Sequence, residues 1–181
     1  MSTETEIKVK IEDPGNFCRR LGARNAGVVS ARHFEDNHLL DFPDRKLGSR
    51  RCLLRVRFAG ERSFLTYKGP PLPEGIFKTR EELEVALEDG STVLQIFERI
   101  GMRLGFRYQK YRQEYALDGV QVAVDETPIG NFVELEGTEG AIRDLAYKMG
   151  IAESEFLRLS YYALYMESCE KKGLDPGFMT F

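Results

Sequence analysis

Two glutamates and a lysine recur at every second position near the start of the chain: Glu4, Glu6 and Lys8. Ile7, Val9 and Ile11 occupy the other parity. Alternate side chains of an extended strand share one face, about 7 Å apart. The three charges therefore project together, with the apolar set behind them. Two hard oxygen donors beside a fixed cation suit a divalent metal that is itself bound to phosphate. Taken alone, one charged strand face is more simply a wet one, because antiparallel sheets commonly solvate one face.

Repetition separates these two readings. Arg55 and Arg57 alternate inside the apolar run from Cys52 to Phe58, and Thr66 and Lys68 follow Phe64-Leu65. Arg80, Glu82 and Glu84 alternate against Leu83, Val85 and Leu87. Lys110, Arg112 and Glu114 form another series, and Glu134 and Glu136 sit between Val133 and Leu135. A merely wet face would mix Ser, Thr, Gln and Lys; here Arg, Lys and Glu dominate. The pattern predicts strands closed around a polar interior, with an apolar outer face that is covered. Buried charges are tolerated only when paired or ligated, so such a lumen implies a highly charged guest with metal.

Those segments resemble, in order, the motifs of the CYTH superfamily, the triphosphate tunnel metalloenzymes. That group includes class IV adenylyl cyclases, thiamine triphosphatases and inorganic triphosphatases. Glu4-Thr5-Glu6-Ile7-Lys8 matches its Glu-x-Glu-x-Lys signature. Leu54-Arg55-Val56-Arg57 is similar to its Leu-Arg-x-Arg strand, and Thr66-Tyr67-Lys68-Gly69-Pro70 to its Thr-x-Lys-Gly-Pro turn. Arg80-Glu81-Glu82-Leu83-Glu84 resembles Arg-x-Glu-x-Glu, and Lys110-Tyr111-Arg112 resembles Lys-x-Arg. Asp125 and Gly130 to Glu136 resemble the Asp…Gly-x-Phe-x-Glu-x-Glu pair. Arg158-Leu159-Ser160-Tyr161 is similar to a late basic-x-Ser-Tyr segment. The blocks span Glu4 to about Tyr165.

The resemblance implies an α+β fold: a closed antiparallel eight-stranded β-barrel with a charged lumen and flanking helices. It implies that Lys8, Arg55, Arg57, Lys68, Arg80, Lys110 and Arg112 line the tunnel and grip phosphates, joined by Arg158 from a C-terminal helix. Glu4, Glu6, Glu134 and Glu136 are the implied Mg²⁺ or Mn²⁺ ligands, with Asp125 a further one. Glu4, Glu6 and Lys8 form the implied catalytic set. Glu82 and Glu84 are expected to balance lumen cations. Arg55 and Arg57 are expected to repel Lys8, Lys68 and Lys110 when no anion is bound. His33 and His38 lie on a strand without ligand spacing, so a general-base role is the lesser reading. Near His38 the chain lacks the aromatic that many relatives carry, which leaves the substrate's non-phosphate end unassigned. Tyr161, Tyr162 and Tyr165 are read as helix packing.

The elements that position these residues follow from local signals. Asp13-Pro14 starts a helix that stops near Gly22, and Asp89 or Ser91 can cap another at about 91–100. There Val93, Ile96, Phe97 and Ile100 recur at helical spacing. Asp118-Gly119 is a hairpin turn. Strands are expected at about 3–12, 27–40, 50–59, 62–69, 77–88, 103–117, 120–127 and 131–137, with closing helices at about 139–149 and 155–172. One domain over 1–172 and an irregular tail over 173–181 result. Eight strands suffice to close a barrel.

Composition sets limits on the alternatives. The 181 residues carry a formal net charge of −3, against general nucleic-acid affinity. Three cysteines, Cys18, Cys52 and Cys169, are too few and too scattered for a disulfide framework. They point to a reducing cytoplasm. No signal peptide or membrane span is visible. Three functions remain: hydrolysis of a small triphosphate (tripolyphosphate, ATP or thiamine triphosphate), cyclisation of ATP, or polyphosphate binding without catalysis. Pure anion binding is the weakest of them, because four glutamates would oppose it without metal. A homodimer is left open.

Overall fold

The computed structural model describes residues 3–181; Met1 and Ser2, the start of the expected domain, lie outside the described residues. Eight strands close into a barrel in the order β1-β5-β4-β3-β2-β6-β7-β8. They are β1 (Thr3–Ile11), β2 (Gly27–Asp41), β3 (Leu53–Ala59), β4 (Arg62–Lys68), β5 (Lys78–Leu87), β6 (Arg103–Leu117), β7 (Val120–Thr127) and β8 (Gly130–Glu136). Every pairing between neighbours is antiparallel. Closure leaves no open edge around most of the wall.

The helices are α1 (Pro14–Gly22), α2 (Gly90–Arg99), α3 (Glu139–Lys148) and α4 (Tyr161–Lys172). Asp13 caps α1 by accepting from the Asn16 amide at 2.8 Å, and Asp89, not Ser91, caps α2. Asp118 and Gly119 both take positive φ, 53° and 78°, as a two-residue hairpin with right-handed twist requires. The last helix starts later than expected. Residues 153–155 form a separate 3₁₀ turn, and Ser160 caps α4 by accepting from the Ala163 amide.

Outward residues of the strands make the core. Ile7, Val9, Val122, Val124, Val133 and Leu135 are buried beneath Phe17 and Leu21 of α1, Ile142 and Leu145 of α3, and Met149 at the C-cap of α3. Val93, Leu94 and Phe97 of α2 pack on Val56, Leu54, Phe58 and Leu65. Gly90 permits this close approach, since a Cβ there would meet Phe58 and Ser63 at 2.9 Å. Two expectations need correction. Ile96 and Ile100 are exposed, because the barrel-facing side of α2 is set by Val93, Leu94 and Phe97. The outer face of β5 is not covered either: Leu83 and Val85 are more than half exposed, since no helix of the described residues crosses them.

Candidate active site

Strand register, rather than sequence proximity, assembles the interior. On β1, Glu4 stands opposite Arg80 of β5, and Glu6 lies between Lys78 of β5 and Glu136 of β8. Lys8 stands opposite Glu134. All of these residues line one cavity of about 1420 Å³ inside the barrel. Cross-strand neighbours have Cβ atoms only about 5 Å apart, so the register dictates the ion pairs. Lys8 Nζ is 3.0 Å from Glu134 Oε1 and 3.5 Å from Glu6 Oε1. Lys78 Nζ donates to Glu6 at 2.7 Å, and Glu4 accepts from Lys68 and, at 3.5 Å, from Arg80.

Strands β3, β4 and β5 form the opposing wall. Arg57 bridges Glu35 at 3.2 Å and Glu84 at 3.0 Å, while Arg55 reaches Thr66 at 3.1 Å and Glu84 at 3.5 Å. Lys68 holds Glu82 at 2.9 Å. Glu82 and Glu84 thus sit on lumen cations, and both arginines have carboxylate partners. The expected mutual repulsion of bare cations is therefore corrected: the wall supplies counter-charges. It persists at Lys68, where burial and nearby Arg55 lower the ammonium pKa to about 8 despite Glu4.

The third wall centres on Asp125, fully buried on β7. Its carboxylate accepts from Lys110 Nζ at 2.9 Å, from Arg112 at 2.8 and 2.7 Å, and from the Tyr161 hydroxyl at 2.5 Å. Arg112 also pairs with Glu134. Asp125 does not line the cavity; Lys110, Arg112 and Tyr161 stand between it and the lumen. Burial alone would raise Glu134 and Glu6. Lys8 with Arg112, and Lys8 with Lys78, outweigh it and hold both carboxyls far below the ordinary range. Lys8 is raised because Glu134 and Glu6 outweigh its burial.

Glu136 behaves differently. It has no cationic partner at ion-pair distance among the described residues, although it faces water in the cavity. The enclosing wall, then Glu4, Glu6 and Glu134, push its carboxyl up to about 7.

A family model described as the CYTH domain matches residues 2–158. The chain belongs to the CYTH domain family. It is 30% identical to a Methanocaldococcus jannaschii protein whose name proposes an adenylate cyclase, over 89% of this chain and 97% of that one. A conserved hypothetical protein of Pyrococcus furiosus superposes with a TM-score of 0.76 at 27% identity, over 89% and 99% of the two chains. A Hippeastrum protein described as an adenylyl cyclase candidate with a dominant triphosphatase activity gives 0.66 at 18% identity, over 96% and 97%. At that identity the likeness carries the fold.

CYTH triphosphate tunnel enzymes are generally metal-dependent, and this interior fits a hard divalent cation. Glu4, Glu6, Glu134 and Glu136 lie on adjacent strands, and Glu136 is a carboxylate facing three others. Among the described residues no three carboxylate, histidine or cysteine groups form a ready cage. Mg²⁺ needs none, being held by one or two carboxylates plus substrate oxygens and water.

The CYTH tunnel gathers Lys8, Arg55, Arg57, Lys68, Arg80, Lys110 and Arg112 on its surface. Arg158 also lines the cavity, but from the segment before α4 rather than from the helix itself. It donates to the carbonyls of Leu72, Pro73 and Gly75 at 2.7 to 3.3 Å, tying down the loop between β4 and β5 at the cavity rim. His33 and His38 do not line the cavity; each lies within 3.5 Å of a carboxylate, Glu35 or Asp36. Three interior residues escaped the sequence reading. Lys78 lies two positions before Arg80 and simply extends that alternation. Glu35 and Asn37 are buried on β2, whose register shifts near Ser30 and His33 obscure the period. No helix of the described residues is long and apolar enough to cross a membrane.

Proposed function

We propose that this CYTH protein hydrolyses the terminal phosphate of a small triphosphate bound in its barrel, with Mg²⁺ or Mn²⁺. One observation carries the reading: six buried or near-buried cations, Lys8, Arg55, Arg57, Lys68, Lys110 and Arg112, face a single cavity whose β1–β8 side bears four glutamates. Twelve lysines and arginines line that cavity against eight carboxylates, a surplus of four in a chain of net charge −3. A triphosphate carries about four negative charges near neutral pH, with up to two on its terminal group.

Arg55 and Arg57 offer planar forks to non-bridging oxygens, and Lys8, Lys68 and Lys110 act as point charges. The Nε atoms of both arginines are buried without a partner among the described residues, so each retains an unused donor. In the ligand-free tunnel Glu82 and Glu84 limit repulsion among these cations, and on anion binding they yield their places to phosphate oxygens. Glu4, Glu6, Glu134 and Glu136 would hold the metal. Bound there, it would neutralise phosphoryl oxygens and acidify the attacking water. Asp125 acts behind them, fixing Lys110 and Arg112 rather than ligating. Catalysis is then positioning and charge neutralisation.

The relative named for adenylate cyclase activity favours a second reading, in which the 3′-hydroxyl of ATP attacks its own α-phosphorus. Product analysis separates the two. Tripolyphosphate, ATP and thiamine triphosphate are each incubated with Mg²⁺ and with Mn²⁺. Orthophosphate release supports hydrolysis, and cyclic AMP with diphosphate supports cyclisation. No turnover of any of the three defeats both. Turnover should vanish with excess chelator and recover poorly with Ca²⁺, which prefers more ligands and looser geometry.

A further inference from the structure

Strand β6 is longer than its partner β7. It pairs with β2 along nearly its whole length, but with β7 only from Tyr111 to Leu117. Residues 103–110 therefore present an edge that β7 does not reach. The end of the chain fills it. Met179 forms a parallel bridge with Tyr108; its amide donates to the Arg107 carbonyl at 3.0 Å, and its carbonyl accepts from the Gln109 amide at 2.8 Å. The Phe181 amide donates to the Gln109 side chain at 3.2 Å.

The side chain of Met179 is fully buried, among Phe106, Tyr108, Phe132 and Tyr161. Two of these neighbours touch the tunnel cations. The Tyr108 hydroxyl accepts from Arg55 at 3.2 Å. The Tyr161 ring lies beneath Lys8 Nζ at 5.1 Å and Lys110 Nζ at 5.0 Å, and its hydroxyl donates to Asp125, which holds Lys110 and Arg112. One methionine thus shares a buried cluster with the two tyrosines that contact, directly or through one carboxylate, four of the six phosphate-gripping cations. The family match ends at residue 158, so this segment lies outside the shared CYTH pattern.

We propose that the C-terminal segment, acting through Met179, is a positioning element for the tunnel's anion-binding side chains. This rests on the reading of the tunnel as a triphosphate site. An edge cover alone would also explain the backbone bridge. It would not explain an apolar side chain fully buried in the cluster that holds the two tyrosines touching the cations. Displacing a cation by a fraction of an ångström weakens binding and turnover, since catalytic geometry tolerates little misplacement.

The test is calorimetric titration of tripolyphosphate with Mg²⁺ into wild type, Met179→Ala, Met179→Val and Met179→Leu, with KM, kcat and melting curves for each. Met179→Ala should weaken binding and raise KM about tenfold at temperatures well below its melting transition. Met179→Leu, of similar volume, should restore wild-type affinity. Met179→Val should fall between, and carries the test if the alanine variant does not fold. Truncated variants that melt earlier yet bind and turn over like wild type would overturn the proposal and leave the tunnel reading intact. A wild-type protein that binds none of tripolyphosphate, ATP and thiamine triphosphate would overturn both.

Discussion

Glu136 and Asp125 are both acidic residues on the β7–β8 side of one barrel, yet they sit in opposite electrostatic settings. Asp125 is fully buried and receives four hydrogen bonds from Lys110, Arg112 and Tyr161. Glu136 faces Glu4, Glu6 and Glu134 with no cation paired to it among the described residues. A carboxylate buried behind the lumen, with its oxygens held by the cations in front of it, is not placed to meet a metal. One surrounded by like charges is relieved by a divalent cation. The comparison divides the acidic residues into those that build the site and those that remain available to a ligand, a division their residue type alone does not make.

The largest expected effect lies on the saturated side. Asp125→Ala leaves Lys110, Arg112 and the Tyr161 hydroxyl buried and unpaired. Breaking a buried charge network typically costs about 3–5 kcal/mol. For a chain of this size each kcal/mol lowers Tm by about 2–4 °C, so a fall on the order of 10 °C is expected even in chelator. If instead the variant melts like wild type in chelator and loses only a metal-induced shift, Asp125 is a ligand and the comparison collapses.

On the available side the effect is chemical. Glu136→Gln should lower turnover by roughly a hundredfold at saturating metal, beyond the tenfold or more typical of losing outer-shell support, while Tm in chelator does not fall. Glu6→Gln should lose both activity and stability, because Glu6 also holds Lys78 at 2.7 Å and Lys8 at 3.5 Å. Near wild-type rates for Glu136→Gln would remove it from the ligand set.

A smaller effect is expected at the rim. Arg158→Ala frees the carbonyls of Leu72, Pro73 and Gly75. These bonds are partly solvated, so stability should drop by only about 1 kcal/mol. KM for tripolyphosphate should rise a few-fold as the loop loosens, with kcat kept. A large loss of kcat would place Arg158 on the phosphates after all.

Much of the barrel was legible because one period governs it. Charges at every second residue in six segments demand strands with a charged face, and register needs only antiparallel neighbours to bring Glu4, Arg80 and Glu136 around one lumen. What was not legible depends on partners distant in sequence. Asp125 looks like any acid in a strand until Tyr161, 36 residues later, is seen donating to it. Met179 stands among Gly177, Phe178 and Thr180, a stretch with no periodic signal. Its burial comes from the unequal lengths of β6 and β7. Arg158 sits in a motif that implies phosphate contact and lines the cavity, but its bonds to the carbonyls of a Pro- and Gly-rich loop have no signal in the motif.

The smallest effect is a pH dependence that tests the comparison without substrate. In metal-free protein the Glu136 carboxyl is raised to about 7 from an ordinary value of 4.5. Between those values the folded state holds a proton that the unfolded state has released. Stability therefore falls as pH rises through that window and levels off above it. Water in the cavity reaches Glu136, so screening keeps the change modest. The well-paired Glu134 contributes nothing between pH 5 and 8, since Lys8 and Arg112 hold its carboxyl far below that range. Melting temperatures in chelator across that range should converge for wild type and Glu136→Gln near pH 5. They should separate toward pH 8, with wild type the less stable, and saturating Mg²⁺ should stabilise wild type more than the variant. Parallel curves would mean that no like-charge pressure acts on Glu136.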